Sequence, residues 1–496
     1  MGRCQPLAGR GVYMNRRMVF YVAGQMVLVE AILMLLPLIV SIFYMEKCAL
    51  AFVASILIAL VLGLAMVLIF KPSNKVIYSK EGFIIVALSW VMLSLVGCLP
   101  FVISKEIPNF VDAFFETVSG FTTTGASILT SYEGLSHGIM FWRSFTHWVG
   151  GMGVLVLVMA VSPTSTDRSM HILRAEMPGP IVGKLVPRVR QTAKILYLIY
   201  VGLTVLEMGL LCLGGLSLYE SCIYAFGSAG TGGFGIMSDS LASYSPYVQW
   251  VITIFLVLFA ANFNIYFLIL MRKFKTAFKS EELWTYLGII IASITVVTVC
   301  IYPLYDGFWK SLRMAAFQVM SILSTTGFAT ADFTLWSPVA KAVLFILMFI
   351  GGCAGSTAGG LKISRVVTLF KSIRRELYRM IHPHSVGAVK LDGKKLDDDT
   401  IKGIGTYFSL YVFILISAFL LISFEPLSFE GKFTSVVACF NNIGPGFAEV
   451  GPMGSYASYS AFSKIVLSIT MLLGRLEIYP LLFILMPSLW KRKSNA

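Results

Sequence analysis

The sequence predicts an all-α polytopic membrane fold, and three observations carry that prediction. The chain is too poor in charge to coat a soluble globule. It holds about ten apolar stretches of membrane-crossing length. It also holds four shorter apolar stretches that each run into glycine. Of its 496 residues, 57% are hydrophobic and only 13% are Asp, Glu, Lys or Arg, against roughly a quarter charged in soluble domains. This composition excludes an ordinary soluble enzyme, a disulfide-stapled secreted scaffold and a disordered chain. The net charge of +14 does not imply a nucleic-acid partner, because the basic residues sit in short tracts between apolar runs, which is a topology signal. The eight Cys and five His are scattered, with no C-x-x-C pair and no metal-ligand spacing. The Cys read as small hydrophobes.

The elements follow in chain order. Arg3, Arg10, Arg16 and Arg17 precede an apolar run over 18–45. That run is far longer than a signal-peptide core and lacks a small-residue cleavage site, so it reads as a retained first span. Residues 1–13 add no recognisable element, which leaves Met14 as an alternative start. Further spans are expected at 48–70, 82–104, 144–166, 195–219, 240–271, 283–305, 342–361, 403–424 and 461–490. The shorter apolar stretches, at about 111–127, 217–235, 311–329 and 431–447, are too short to cross. They read as re-entrant segments, in which a helix dips in and an extended strand climbs back out. The basic tracts are the N-terminus, Lys71–Lys80, Arg168–Lys194, Arg272–Lys279, Lys362–Arg379 and Lys491–Lys493. Ten crossings put all of them on one side, with both termini cytoplasmic, and the re-entrant segments then enter from outside.

The ends of these segments form an internal repeat. They read Phe121-Thr122-Thr123-Thr124-Gly125, Gly230-Thr231-Gly232-Gly233, Ser324-Thr325-Thr326-Gly327 and Asn441-Asn442-Ile443-Gly444. Their anchor glycines are spaced by 108, 94 and 117 residues. Each unit is span, short helix, glycine turn, span, which predicts four M1–P-loop–M2 repeats in a pseudo-fourfold array around one pore. The expected organisation is a two-helix extension over 1–75 and repeats over 76–166, 167–278, 279–377 and 378–496. A cation leaving water needs replacement oxygens, and a ring of four backbone strands can supply them. Glycine permits the unusual φ/ψ and close approach that such strands require. The hydroxyls of Thr123 and Thr325 are candidate ligands at the inner mouth. The short helices would aim their negative C-terminal ends inward, toward a cation.

The motifs F-T-T-T-G-A-S at 121–127, F-W-R-S-F-T-H-W-V-G-G-M-G at 141–153, A-E-M-P-G-P at 175–180 and S-T-T-G-F at 324–328 extend this pattern. So do G-G-C-A-G-S-T-A-G-G at 351–360, N-I-G-P-G at 442–446 and G-R-L-E at 474–477. Together they resemble the Trk/Ktr/HKT superfamily of potassium transporters over nearly the whole chain. The two extra N-terminal helices favour its bacterial Trk membrane-subunit branch. The resemblance implies K⁺ uptake across the bacterial inner membrane, a homodimer with one pore per protomer, and a cytosolic nucleotide-binding (NAD/ATP) regulatory subunit. It implies no bound cofactor, K⁺ being the transported ion, and no enzymatic activity. The filter residues carried over are Thr123, Thr124, Gly125, Thr231, Gly232, Gly233, Thr325, Thr326, Gly327, Asn442, Ile443 and Gly444. In plant relatives a Ser at the first filter Gly accompanies Na⁺ preference, so four glycines here imply K⁺ selectivity. Strand two, with Thr231-Gly232-Gly233, and strand four, with Asn442-Ile443, depart from the Thr pattern and make the site asymmetric.

Five glycines between Gly351 and Gly360 can hardly stay helical at about 1 kcal/mol each. Two readings are open from the residues, an intramembrane loop or close helix packing through small side chains. The resemblance favours the loop and assigns the gate to Gly351, Gly352, Gly355, Ser356, Thr357, Gly359, Gly360 and Arg475. Arg475 is expected near the middle of the last span, either facing a cavity under the filter or held in a buried ion pair. Glu116, Arg313 and Arg143 read as candidate structural pairs, while Glu30 and Glu207 have no assigned role. A symporter coupled to H⁺ or Na⁺ would need such a group and is the alternative to a channel-like pore. Asp392-Gly393 between short runs at 387–391 and 394–396 predicts a cytosolic hairpin, with a helix starting at 397–400. The basic cytosolic face fits anionic lipid. A regulatory subunit docking there rests on the resemblance alone, and no nucleotide motif is visible in this chain.

Overall fold

In the computed structural model, residues 14–73, 79–132, 134–153, 189–385 and 387–486 are described. The A-E-M-P-G-P motif, most of the 144–166 span and several basic tracts lie outside them. The N-terminal helices are α1 (Arg16–Leu33), α2 (Leu35–Phe43) and α3 (Cys48–Ile69). Gly24 and Gly63 let α1 and α3 approach until a methyl at either would strike the other helix, the small-residue packing expected between helices in lipid. Then follow α4 (Ser79–Gly97), α5 (Leu99–Ile103), α6 (Phe110–Phe121), α7 (His137–Gly151), α8 (Val189–Leu213) and α9 (Leu218–Gly230). Next come α10 (Pro246–Ala260), α11 (Phe263–Leu270), α12 (Phe274–Ala277), α13 (Glu281–Ile301), α14 (Phe308–Leu323), α15 (Pro338–Ile350) and α16 (Ile363–Ile381). The chain ends with α17 (Asp398–Leu421), α18 (Phe429–Phe440), α19 (Ala461–Arg475) and α20 (Tyr479–Leu485). Strands β1 (Lys390–Leu391) and β2 (Lys394–Lys395) form the expected hairpin, with Asp392 and Gly393 both at positive φ.

The long helices face outward and the short ones are buried, the reverse of a soluble fold. On α3, Leu57, Val61, Leu64 and Leu68 are exposed, as are Ile291 and Val299 on α13. Among the described residues, six helices are long and apolar enough to cross a membrane, or seven if the bent α10–α11 pair is one span. By contrast α6, α9, α14 and α18 bury nearly all of their C-terminal halves. Each short helix packs against the helix that follows it and against the helix following its neighbour. The contacts run α6–α7–α9–α10–α14–α15–α18–α19 and back to α6, closing a ring. The helices α4, α8, α13 and α17 precede the four short ones.

Three expected spans are not continuous. The run 240–271 bends by 88° between α10 and α11. Asn262 starts the second piece, its side chain accepting from Asn264 N–H. The run 342–361 is helical only to Ile350, where Gly351 (φ +71) stops it. The last run breaks after Arg475, with Glu477 and Ile478 at φ +52 and +68. Arg475 therefore stands at a helix end and not mid-span. The helices α7, α10, α15 and α19 share a design that the sequence reading missed. Each follows a Ser (Ser136, Ser245, Ser337, Ser460), and the last three cap their helices through the hydroxyl.

Candidate ion pathway

Each of the four short helices ends in the same turn. Thr123, Thr231, Thr325 and Asn442 are left-handed, with φ between +55 and +57. The next residues, Thr124, Gly232, Thr326 and Ile443, donate N–H to carbonyls five residues back, at 2.8, 2.8, 2.8 and 2.9 Å. These are helix-terminating motifs of the Schellman type. The left-handed position is filled by Thr or Asn where Gly would be cheaper, a cost of roughly 1–2 kcal/mol each. Strain repeated at four equivalent places shows that the surrounding structure over-determines this backbone. The anchor glycines follow at φ +78, +77, +86 and +91.

The four strands meet edge to edge. A methyl on Gly125 would overlap the Gly232 carbonyl oxygen, on Gly233 that of Thr326, on Gly327 that of Ile443, and on Gly444 it would press on that of Thr124. Four carbonyls thus follow one another around a closed circuit, each against the next strand's glycine. The predicted filter residues are brought together, and several of their hydroxyls bond within the protein. Thr325 Oγ1 accepts from Gly359 N–H at 2.6 Å. Thr124 and Thr326 pair backward with Thr122 and Ser324, both at 2.8 Å. Asn442 is a brace, its Nδ2 donating to Thr124 Oγ1 at 2.9 Å and to the Met471 carbonyl at 3.0 Å.

Further side chains brace the strands, among them two of the charges expected to pair. Glu116 and Arg143 form a buried ion pair. Glu116 also accepts from Ser127 Oγ and Ile128 N–H, both at 2.9 Å, while Arg143 donates to the Gly235 carbonyl at 3.1 Å and lies 3.5 Å from the Phe234 ring centroid. This pair ties the exits of strands one and two together. Buried His147 donates from Nδ1 to the Gly120 carbonyl at 2.8 Å and sits directly behind Gly232. Tyr456 donates to the Gly444 carbonyl at 2.7 Å. The sequence marks Glu116 and Arg143 as charges expected to pair, whereas it marks His147 only by its place within the 141–153 motif.

Gly351–Gly360 is a non-helical loop, as expected, and it is docked rather than free. Cys353 N–H donates to the Ala260 carbonyl at 2.9 Å and Phe263 N–H to the Gly355 carbonyl at 3.1 Å. The loop so satisfies backbone groups released by the α10–α11 bend. Gly359 packs so closely on Asn441 that a methyl there would overlap its carbonyl oxygen. Arg475 spans the space below. Nη1 donates to the Thr357 carbonyl at 2.8 Å, and Nη2 to the Gly150 and Gly151 carbonyls at 2.6 and 2.7 Å. It caps the C-terminus of α7 and joins it to the loop. Below Arg475, Glu477 pairs with Arg365, whose guanidinium lies 4.2 Å from the Tyr407 ring centroid, and buried Lys362 donates to the Ala358 carbonyl. Between them lies a cavity of about 50 Å³ lined by Met152, Ser356, Lys362, Arg475 and Glu477. Arg313 of α14 is not joined to this network.

A ring of half-buried helices whose ends deliver four carbonyl-bearing strands to one point, with broken helices beneath it, defines a polytopic membrane transport protein. The TrkH family profile, described as "Cation transport protein", matches residues 49–492, and the chain belongs to that family. It is 36% identical over 485 residues to "Trk system potassium uptake protein TrkH" of Salmonella typhimurium, covering 96% of this chain and all of the relative. Identity to the TrkH of Escherichia coli K12 is 35% over the same extent, and to its "Trk system potassium uptake protein TrkG" 31%, over 96% of this chain and 99% of the relative. The crystal structure of the potassium transporter TrkH from Vibrio parahaemolyticus superposes with a TM-score of 0.86 at 30% identity, covering 96% of this chain and all of that one. The chain is accordingly a multi-pass membrane transport protein, not an enzyme.

Proposed function

We propose that this protein carries K⁺ selectively into the bacterial cytoplasm through a gated, channel-like pore. The single observation that carries the reading is the closed circuit of the Thr124, Gly232, Thr326 and Ile443 carbonyls at four equivalent helix ends. Four M1–P–M2 repeats, over 76–166, 167–278, 279–377 and 378–496, surround this filter behind the two-helix extension of 1–75. The negative ends of α6, α9, α14 and α18 face it, and backbone oxygens replace the hydration shell of the ion. The gate is the loop Gly351–Gly360 with Arg475. In the conformation described, a guanidinium bridges the space beneath the filter, where a fixed positive charge opposes a cation, so this is a closed state. Opening withdraws the loop and Arg475 together. The protein works in the cytoplasmic membrane with both termini inside, as a homodimer, with a cytosolic nucleotide-binding subunit acting on its basic face and no nucleic-acid partner. The relatives' names support K⁺ as the substrate.

Symport with H⁺ or Na⁺ is the second reading. Glu30 is fully buried with both carboxyl oxygens lacking a hydrogen-bond partner, and Glu207 is fully buried on α8. Rb⁺ uptake into proteoliposomes separates the two. Uptake driven by voltage alone, competed by K⁺ and not by Na⁺, supports the pore. A requirement for a proton or Na⁺ gradient supports symport and points to these two carboxyls.

A further inference from the structure

The intramembrane loop is held by a group that nothing in its own sequence announces. Glu282 lies in the first turn of α13 and is 5% exposed. Its Oε1 accepts from Ala354 N–H at 2.7 Å and from Ser364 N–H at 3.2 Å, and its Oε2 accepts from Asn262 Nδ2 at 3.3 Å. These donors are three separate irregularities of the fold. Ala354 is the turn of the loop, Ser364 is in the first turn of α16, and Asn262 is the bend between α10 and α11. A buried carboxylate is costly unless its oxygens are satisfied, and here all of its partners belong to the loop or to the elements flanking it. The Ser364 contact also sets a negative charge at a helix N-terminus, where the dipole favours it. Moving the loop away would strip Glu282 of at least its Ala354 bond, so the carboxylate resists that movement.

The same turn reaches the cytosolic hairpin. Glu281, the preceding residue, pairs with Lys371 of α16, and its N–H donates to Asp392 Oδ1 at 2.7 Å. Lys371 Nζ also donates to the Lys390 carbonyl at 2.8 Å. One helical turn therefore touches the loop on its buried side and the hairpin turn on its exposed side.

We propose that Glu282 is the latch that holds the Gly351–Gly360 loop in its closed position, and that the hairpin at 390–395 sets the strength of this latch through Glu281 and Lys371. Glu282 is a positioning residue, acting on the ion path only through the loop. The inference rests on the reading of 351–360 as a gate.

The test is Rb⁺ flux and single-channel recording on the full-length protein in liposomes without a partner, for wild type, E282A, E282Q, D392A and R475A. The Gln amide oxygen keeps the acceptor for Ala354 and Ser364, so E282Q retains near wild-type flux. E282A raises flux by at least about tenfold through open probability, with unit conductance and K⁺/Na⁺ ratio unchanged. A substitution acting merely through stability would lower the yield of folded protein or disturb selectivity, and would show no rescue in the Gln variant. D392A raises flux by a smaller factor, and in the E282A background it adds nothing. If R475A opens the pore while E282A leaves open probability at the wild-type level, the gate reading stands and the latch is overturned. If neither variant opens it, the gate reading itself fails. If E282A does not fold, E282D decides: its carboxylate is one methylene short of Ala354 N–H, so flux rises and the closed time shortens, and an unchanged closed time overturns the latch. Independent, additive effects of D392A and E282A overturn the role given to the hairpin.

Discussion

Replacing Arg475 by Ala removes a side chain that joins the end of α7 to the Gly351–Gly360 loop. Three hydrogen bonds go with it, to the carbonyls of Thr357, Gly150 and Gly151 at 2.8, 2.6 and 2.7 Å. Bonds from a charged donor contribute ~1.5–3 kcal/mol each when nothing replaces them. Water entering the opened cavity replaces part of this, so the closed state loses a net ~2–4 kcal/mol, or about 30- to 1,000-fold in its equilibrium with the open state. For a wild type about 1% open, flux then rises roughly 20- to 90-fold, toward a ceiling near 100-fold. The deletion also removes a positive charge from the cation path. Arg475→Lys separates the two effects, since a Lys keeps the charge but lacks the planar fork that reaches three carbonyls at once. The expected order of partner-free Rb⁺ flux is Ala above Lys above Arg, with open probability rising and the K⁺/Na⁺ permeability ratio constant. Flux at or below wild type in correctly folded R475A protein would refute the reasoning and leave Arg475 as a packing residue.

Gly125→Ser puts a side chain against the Gly232 carbonyl at a backbone φ of +78, so the ring must distort; bi-ionic reversal potentials are expected to show the K⁺/Na⁺ ratio falling by about an order of magnitude. An unchanged ratio counts against the filter assignment. Glu116→Gln leaves buried Arg143 without its counter-charge, a loss of ~3–5 kcal/mol that thermal unfolding of the detergent-solubilised protein should report as a clearly lowered midpoint. Thr325→Val leaves Gly359 N–H without its acceptor, destabilising the docked loop by ~1–3 kcal/mol. Partner-free flux should rise in T325V and stay at the wild-type level in T325S, which keeps the hydroxyl; equal flux in the two variants would show that this bond does not hold the loop.

The sequence made the four short helices and their glycine turns legible because both rest on local chemistry. An apolar run of half length ending in Gly125, Gly233, Gly327 or Gly444 is a statement about backbone freedom that needs no tertiary context. Asp392-Gly393 likewise encodes its own turn. The five glycines of 351–360 announced one interruption, but the breaks between α10 and α11 and between α19 and α20 were not legible, because distant segments stabilise them. Between Pro246 and Leu270 only Asn262 marks the bend, and the donors and acceptors that satisfy it come from Cys353 and Gly355, some 90 residues away. Ile478, a β-branched residue at φ +68, gives no local sign that the last helix stops beside it. The Glu116–Arg143 and Glu282 networks share this character. A charge in an apolar stretch advertises that it needs a partner, yet only the fold says which.

On the proposed reading, the filter and the gate are not separate devices in this chain. Strand three holds the loop through Thr325, strand four holds it through the close fit of Gly359 under Asn441, and strand one is tied to strand four through Asn442. Strand two instead leans on His147 and, through Gly235, on Arg143. The departures of strands two and four from the Thr pattern are therefore structural as well as chemical. A Thr at position 442 could not reach both Thr124 Oγ1 and the Met471 carbonyl as a donor, since a hydroxyl has one proton and a carboxamide nitrogen two. Four identical strands would ligate an ion more symmetrically, but they would leave the loop nothing distinct to grip. In the proposed mechanism, an asymmetric filter lets a single loop close the pore from one side, and each opening is coupled to the loss of contacts under strands three and four.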